Sequence, residues 1–310
     1  GDSMSSVVQK LGRFLFCPAI RFAYLTELGF MNHMSDEAFT LREYRYRTGK
    51  PLNLKNPQTF NEKLQWLKVH DHNPEYTKMV DKYAAKQYAA EKIGADHIIP
   101  ALGVWSTFDE IDFDALPEQF VLKCTHDSGG LVICRDKTQF DKAAARRKIE
   151  KYLKRKYFYE HREWPYKDVQ PQILAEQYMQ DGDQKSLVDY KFYCFNGVPR
   201  YLYVSRGMEN HATAQIGFLN LDWTFAPFGR TDYRPLSELP PKPQRYEEML
   251  EFARKFSEGI PFLRVDLYEI NGKVYFGELT FTPCAGAMPF DPPQADLEVG
   301  RLLDISGRMQ

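Results

Sequence analysis

The sequence predicts an α+β protein of two or three structural units. Three observations carry that expectation. Residues 35–75 are helical in pattern. Short β-rich runs further along turn at Asn196-Gly197 and Asn271-Gly272, the dipeptide that favours tight hairpins. Residues 247–258 form one clear amphipathic helix, with Met249, Leu250, Ala253 and Phe256 inward and Gly259 ending it. The chain can bury a sizeable core, since 43% of its 310 residues are hydrophobic and 15% aromatic.

Composition excludes several classes. The formal net charge is −1 with no basic or acidic block, so nothing points to a nucleic-acid partner. Five cysteines at 17, 124, 134, 194 and 284 are odd in number and lack CxxC spacing, which reads as reduced thiols in the cytoplasm. The seven histidines form no HxxxH or HExxH set, and His70 with His72 reads as a polar surface pair.

In chain order, residues 6–31 are apolar but interrupted by Lys10, Arg13, Arg21 and Glu27. A spanning helix is therefore excluded, and no small-residue cleavage site follows. One or two amphipathic helices fit, either packed on the body of the protein or lying on a membrane surface with Phe14, Phe16 and Phe22 inserted. Thr59 followed by Glu62 resembles a capping box. A helix is expected over 80–93, ended by Gly94, with Asp81-Lys82 in its first turn. Residues 98–104 read as a short strand.

The stretch QFVLKCTHDSGGLVICR, residues 119–135, reads as two strands around a glycine loop. Alternation puts Phe120, Leu122 and Cys124 on one face and Val121, Lys123 and Thr125 on the other. A lysine within an apolar run needs a partner, and phosphate is a suitable one. Ser128 and the bare backbone of Gly129-Gly130 could approach phosphates closely. An ordinary hairpin turn has the same composition, and the pattern is not GxxxxGK[ST]. Residues 138–157 form a basic helix, read mainly as a solvated face. Strands follow at 173–179, 188–195 and 198–204, with a polar loop at 180–185. Asp189, Lys191 and Tyr193 share one face. Residues 207–245 are rich in loops, prolines and aromatics, as substrate lids often are.

The final hairpin, residues 262–286, carries the oddest polar residues. Arg264 and Asp266 sit among Leu263, Val265 and Leu267; Glu278 and Thr280 sit among Val274, Phe276 and Leu279. A plain two-residue turn at Asn271-Gly272 puts Asp266 and Glu278 on opposite faces. A three-residue loop, with Gly272 as a bulge, puts Arg264 opposite Glu278 with Asp266 diagonal to it. The bulged turn is the expectation, because it gathers two carboxylates, a hydroxyl and a guanidinium in one place. Such oxygen ligands suit Mg²⁺, which takes one or two carboxylates and leaves its other positions to water and phosphate. The plainer reading is a cross-strand Arg–Glu pair.

The order of these stretches resembles the ATP-grasp superfamily over roughly residues 78–290. The whole chain is similar to the TupA-like ATP-grasp family of bacterial surface-polysaccharide loci, through NPQTFNEKLQW (56–66), MVDKYAAKQYAAEKIG (79–94), IIPALGVW (98–105) and FVLKCTHDSGG (120–130). The resemblance implies an ATP-grasp fold, two α+β lobes sandwiching ATP. Its units would be an N-terminal helical extension (1–75), an N-lobe with the glycine loop (76–175) and a C-terminal lobe with the metal hairpin (176–310). Lys82 and Lys123 would contact phosphates, Ser128, Gly129 and Gly130 would cover them, and Glu176, Gln177, Tyr178 and Met179 would hold adenine. Asp183, or else Asp181, would meet the ribose. Asp266, Glu278 and Thr280 would bind Mg²⁺, Arg264 would steady the intermediate, and Lys191 would add a phosphate or acyl-phosphate contact. Thr280 stands where the family's E-x-N motif has asparagine, and a hydroxyl is a weaker ligand than an amide oxygen.

The function so implied is an ATP- and Mg²⁺-dependent carboxylate–amine ligase acting through an acyl phosphate. Its partners would be a uronic acid of a surface polysaccharide or nucleotide-sugar precursor and an amino acid or amine. It would work in the cytoplasm or at the inner face of the cell membrane. The alternatives are a sugar kinase on the same fold, and a glycosyltransferase or assembly protein of a polysaccharide locus. No Ser–His or Cys–His nucleophile is evident.

Overall fold

Local capping signals set several helix boundaries in the computed structural model, which describes residues 2–184, 186–208 and 210–310. Lys185, in the expected polar loop, and Glu209, in the expected lid, lie outside the described residues. The chain opens with α1 (Asp2–Phe16) and α2 (Pro18–Glu27). The Ser35 hydroxyl then accepts from the Ala38 N–H at 3.1 Å to start α3 (Asp36–Thr48), and Gly49, at φ 73°, ends it. The Thr59–Glu62 capping box forms in full and opens α4 (Phe60–His70).

The single helix expected over 80–93 is two. Helix α5 (Glu75–Val80) stops, and α6 (Ala84–Ile93) restarts three residues later. The cause is Asp81, whose carboxylate accepts from the N–H groups of Tyr83 and Ala84 at 2.9 and 3.2 Å. Lys82 thus sits in the break, its own N–H donated to the Thr125 carbonyl at 3.1 Å.

The first sheet holds β1 (Ala101–Trp105), β2 (Phe120–Cys124), β3 (Leu131–Cys134) and β4 (Ile173–Gln177) in the order β1-β4-β2-β3, all antiparallel. Strand alternation decides its two faces. Phe120, Leu122 and Cys124 are buried with Ala145 and Ile149 of α7 (Lys142–Leu153), while Val121 and Lys123 face the other way. Helix α7 is capped by Asp141, and the short α8 (Phe158–His161) follows it.

The chain then forms β5 (Asp189–Phe195), β6 (Val198–Arg206), β7 (Gln215–Asn220), β8 (Gly229–Arg230) and β9 (Arg234–Pro235) and, after α9 (Tyr246–Ser257), β10 (Phe262–Ile270) and β11 (Lys273–Thr280), of which all but β8 build the second sheet. Its order is β11-β10-β5-β6-β7-β9, with only β7 and β9 parallel; β8 instead pairs with β12 (Phe290–Asp291). Strand β7 corrects the lid expectation for 207–245. Its Ile216 and Leu219 are buried on opposite faces of the sheet.

Each face of this sheet has its own core. On one, Phe192, Leu202, Leu263 and Val265 pack with Met249, Ala253 and Phe256 of α9 and with Ala85 and Ala89 of α6. On the other, Phe195, Phe218 and Phe262 meet Phe60 of α4 and Phe290. Each fully buried phenylalanine contributes about 1.5–3 kcal/mol. Polar clasps add direction: Lys63 donates to the carbonyls of Gly300 and Leu303 (2.8 and 2.7 Å), and Asn61 meets Asp296 beside α10 (Ala295–Gly300). Core and clasps cover one end of that face. At the other end it is polar.

Candidate active site

The polar end begins with the last hairpin. Asn271 (φ 50°) and Gly272 (φ 76°) both adopt the left-handed region, so the turn is a two-residue type I′ turn pairing Ile270 with Lys273. The three-residue loop expected there is corrected. The bulge lies instead at Gly277, between the pairs Leu267–Phe276 and Asp266–Glu278. A Cβ on Gly277 would stand 2.8 Å from the Asp266 carbonyl oxygen and 3.1 Å from the Tyr268 ring, so only glycine lets the strands approach. Gly277→Ala is expected to cost about 1–3 kcal/mol. Denaturant unfolding measures it, and an unchanged midpoint would show that the bulge accepts a side chain.

The displaced bulge puts Asp266 directly opposite Glu278, and Arg264 opposite Thr280. Directly paired residues share a face, and the next strand continues both rows: Lys191 lies beside Asp266, and Tyr193 beside Arg264. Arg264 donates from Nε and Nη2 to the two oxygens of Asp266, both at 2.9 Å, and from Nη2 to Glu278 at 3.2 Å. Lys191 Nζ donates to Asp266 at 3.1 Å and to Asp189. Asp266 is only 1% exposed, whereas the Glu278 side chain is 52% exposed.

Electrostatics separates the two carboxylates. Burial pushes the Asp266 carboxyl up to about 6, against the pull of Arg264 and Lys191. For Glu278 the desolvation that would raise it is outweighed by Arg264, Lys82, Lys191 and Lys123, which together hold it below the usual carboxylate range. Glu278 is thus a half-exposed carboxylate in direct contact with Arg264 and in the field of three lysines, from both sheets and the α5–α6 break.

Glu278 also borders a cleft of about 370 Å³ between the two sheets, within the range of small-molecule sites. The first sheet contributes Val121, Lys123, Ile133 and Arg135; the second contributes Asp189, Tyr268, Phe276 and Leu279. Lys82 and Lys86 enter from one side. Strand β4 ends at Gln177, so Tyr178 and Met179 leave its ladder where they line the cleft.

Several expected residues are placed differently from one another. Glu176 and Gln177 line the cleft, but the Glu176 carboxylate is buried and paired with Lys123 at 3.1 Å and Lys86 at 3.6 Å. Ser128 and Gly129 are exposed in a loop outside the cleft lining; Lys82 reaches that loop by donating to the Asp127 carbonyl. Gly129 has φ 95°, and a Cβ on Gly130 would meet Asp127 Oδ1 and Cys124 Sγ at 2.9 Å. Asp183 is exposed and does not line the cleft, while Asp181 accepts from the Asn271 N–H at 2.8 Å, docking its loop on the hairpin turn. Gln184 lines the cleft beside them. Thr280 shares the face of Arg264 and Asp266 and, like them and Lys191, lies outside the cleft lining.

Sequence reasoning passed over Lys86, Asp189 and Gly277. Lys86 was signalled by its spacing of one helical turn from Lys82, and Asp189 by sharing a strand face with Lys191. Gly277 carried no local signal. Among the described residues no group of three or more His, Cys, Asp and Glu converges to hold a metal. A cation here would rest on two carboxylates, with a hydroxyl, water and ligand oxygens for the rest.

A family description, TupA-like ATPgrasp, matches residues 62–304. No curated protein matches the chain. Among solved structures it is similar to D-alanine–D-alanine ligase from Helicobacter pylori, at 16% identity and TM-score 0.44 over 73% of this chain and 61% of that one. It is also similar to D-alanine–D-alanine ligase from Bacillus anthracis complexed with ATP (14%, TM-score 0.38, 66% and 53%). A third is the ATP-grasp ligase PsnB complexed with a minimal precursor, Mg and ADP (8%, TM-score 0.38, 71% and 57%). The chain spans less than two-thirds of the length of each.

Proposed function

Because the chain belongs to the TupA-like ATP-grasp family, we propose that it is an ATP- and Mg²⁺-dependent ligase joining a carboxylate to an amine through an acyl phosphate. The observation that carries this reading is that Lys82, Lys123 and Glu278 line one cleft, with Arg264 behind it donating to Glu278 at 3.2 Å and Lys191 donating to the neighbouring Asp266 at 3.1 Å. A carboxylate does not condense with an amine unaided, because its oxygen leaves poorly. Phosphoryl transfer improves the leaving group, and the protein's task is then positioning and charge neutralisation.

The donor set suits the metal. Glu278 is the exposed hard oxygen ligand on this face and Asp266 the buried one, its oxygens now held by Arg264 and Lys191; Mg²⁺ bound by them would neutralise the charge of the terminal phosphates. Lys123 and Lys82 would hold phosphate oxygens, and Val121, Ile133, Met179 and Phe276 would enclose the base. The backbone of Tyr178 and Met179 would read its edge. Glu176 would act through Lys123 and Lys86, keeping both ammonium groups at the cleft. Arg264 and Lys191 would remain charged beside the transferring group. Asp183 is left without a role in this reading, since it lies outside the cleft.

The acceptor we assign is a uronic acid of a bacterial surface polysaccharide or its precursor, and the amine an amino acid or simple amine. The family resemblance supports that class. In this reading the reaction runs in the cytoplasm or at the inner face of the cell membrane. Thermal-shift measurements test the nucleotide: Mg-ATP at a hundred times its Kd is expected to stabilise the fold by about 2.7 kcal/mol, and Mg-UDP-sugars that carry no carboxylate not at all. Stabilisation by UDP-sugars alone would overturn the reading. Product mass from ATP, a uronic acid and pooled amino acids then separates an amide from a phosphate ester.

A further inference from the structure

Helix α1 leaves one whole side of itself uncovered. Met4, Val7, Val8, Leu11 and Leu15 recur at three- and four-residue spacing and so share one arc, and each is between 52% and 75% exposed. The opposite arc is polar, with Ser5, Ser6, Gln9 and Arg13, and Lys10 lies at its border. Below it, α2 is anchored: Phe22 is buried against Phe39 and Tyr46, with ring centroids 5.3 and 5.0 Å apart. Phe14 packs edge-on to Tyr24 at 5.5 Å. The sequence expectation that Phe14, Phe16 and Phe22 insert together is therefore corrected. Phe22 fixes the helix pair to α3, Phe14 fixes α1 to α2, and of the three only Phe16 is free, at 86% exposure.

Charge identifies what the arc meets. Helices α1 and α2 together carry Lys10, Arg13 and Arg21 against Asp2 and Glu27 at their two outer ends, so the stretch that bears the apolar arc, residues 4–16, holds basic charge alone, whereas the whole chain has 42 acidic against 41 basic residues. We propose that α1 lies along the surface of an anionic phospholipid bilayer, its apolar arc below the headgroups and its basic residues among them. No described helix is long and apolar enough to cross a membrane, so the helix rests on the bilayer. Self-association through the same arc would bring Lys10 and Arg13 of two copies together with only Asp2 at the start of each helix to offset them.

Flotation of the full chain with vesicles tests the assignment. The protein is expected to float with phosphatidylglycerol-rich vesicles and not with pure phosphatidylcholine, and to be released by high salt. Leu11→Asp with Leu15→Asp should reduce partitioning by about tenfold or more, and Lys10→Gln with Arg13→Gln by a few-fold. Both variants should keep the wild-type melting curve and its Mg-ATP shift, so this result and the nucleotide reading stand or fall separately. No flotation with anionic vesicles, or equal flotation of the double aspartate variant, would overturn the proposal. So would a dimer in sedimentation that this variant dissolves while vesicles bind neither form, which would name a second copy as the occupant.

Discussion

Lys123→Ala is expected to reduce ATP turnover by about 10³-fold or more while leaving the chain folded. Lys123 projects from the middle of β2 on the face away from the α7 core, so its removal opens no cavity among Phe120, Leu122 and Ile149. Its structural partner is Glu176, which would keep Lys86 at 3.6 Å. The buried carboxylate is then less well compensated, at a cost of about 1–3 kcal/mol. Single-turnover ATP consumption beside a denaturant melt separates the two effects. Wild-type turnover in a folded variant would remove Lys123 from the phosphate site and with it the central support for the nucleotide reading.

The second large effect is expected from Glu278→Gln. Glutamine keeps the shape and can still accept from Arg264, and the side chain is half-exposed, so stability should hardly change. What disappears is the most exposed negative charge in the field of Lys82, Lys123, Lys191 and Arg264. Turnover should fall by about 10²–10³-fold, and ATP binding should lose most of its response to added Mg²⁺. A variant whose Mg²⁺ titration matches wild type would show that Glu278 is not a ligand.

The hairpin shows why a wrong local detail left the gathering intact. The expected bulge sat in the turn; the observed one sits at Gly277, five residues further on. Side chains alternate along a strand, so one extra residue anywhere between turn and site reverses which face Glu278 occupies. Parity therefore required one bulge if Asp266 and Glu278 were to meet, but not its position. That position follows from the close approach of the Gly277 backbone to Asp266, a contact between residues on different strands. The result differs in one respect that matters. Asp266, not Arg264, stands opposite Glu278.

Other misreadings have the same origin. Residues 207–245 looked like loop because prolines and aromatics dilute their pattern, yet Gln215–Asn220 gains a place in the sheet from β6 beside it. Asp81 reads as an ordinary first-turn acid until its carboxylate is seen capping Tyr83 and Ala84, which breaks the helix and frees Lys82 to reach the Asp127 carbonyl. The resemblance puts Asp183, or else Asp181, at the ribose, without saying how the loop after β4 is turned. The docking of Asp181 on Asn271 turns that loop so that Gln184 borders the cleft instead.

By itself the sequence determined what short-range physics can encode: the Thr59–Glu62 cap, the α9 stripe, the alternation that turns Lys123 away from its core, and the Asn-Gly turns. It also held the four collinear stretches that mark the family. The tertiary structure alone decided which charges neutralise which. Asp266 between Arg264 and Lys191, Glu176 between Lys86 and Lys123, and the apolar arc of α1 left open all depend on which elements lie side by side. Ion pairing and desolvation act between neighbours in space, and chain order does not name those neighbours.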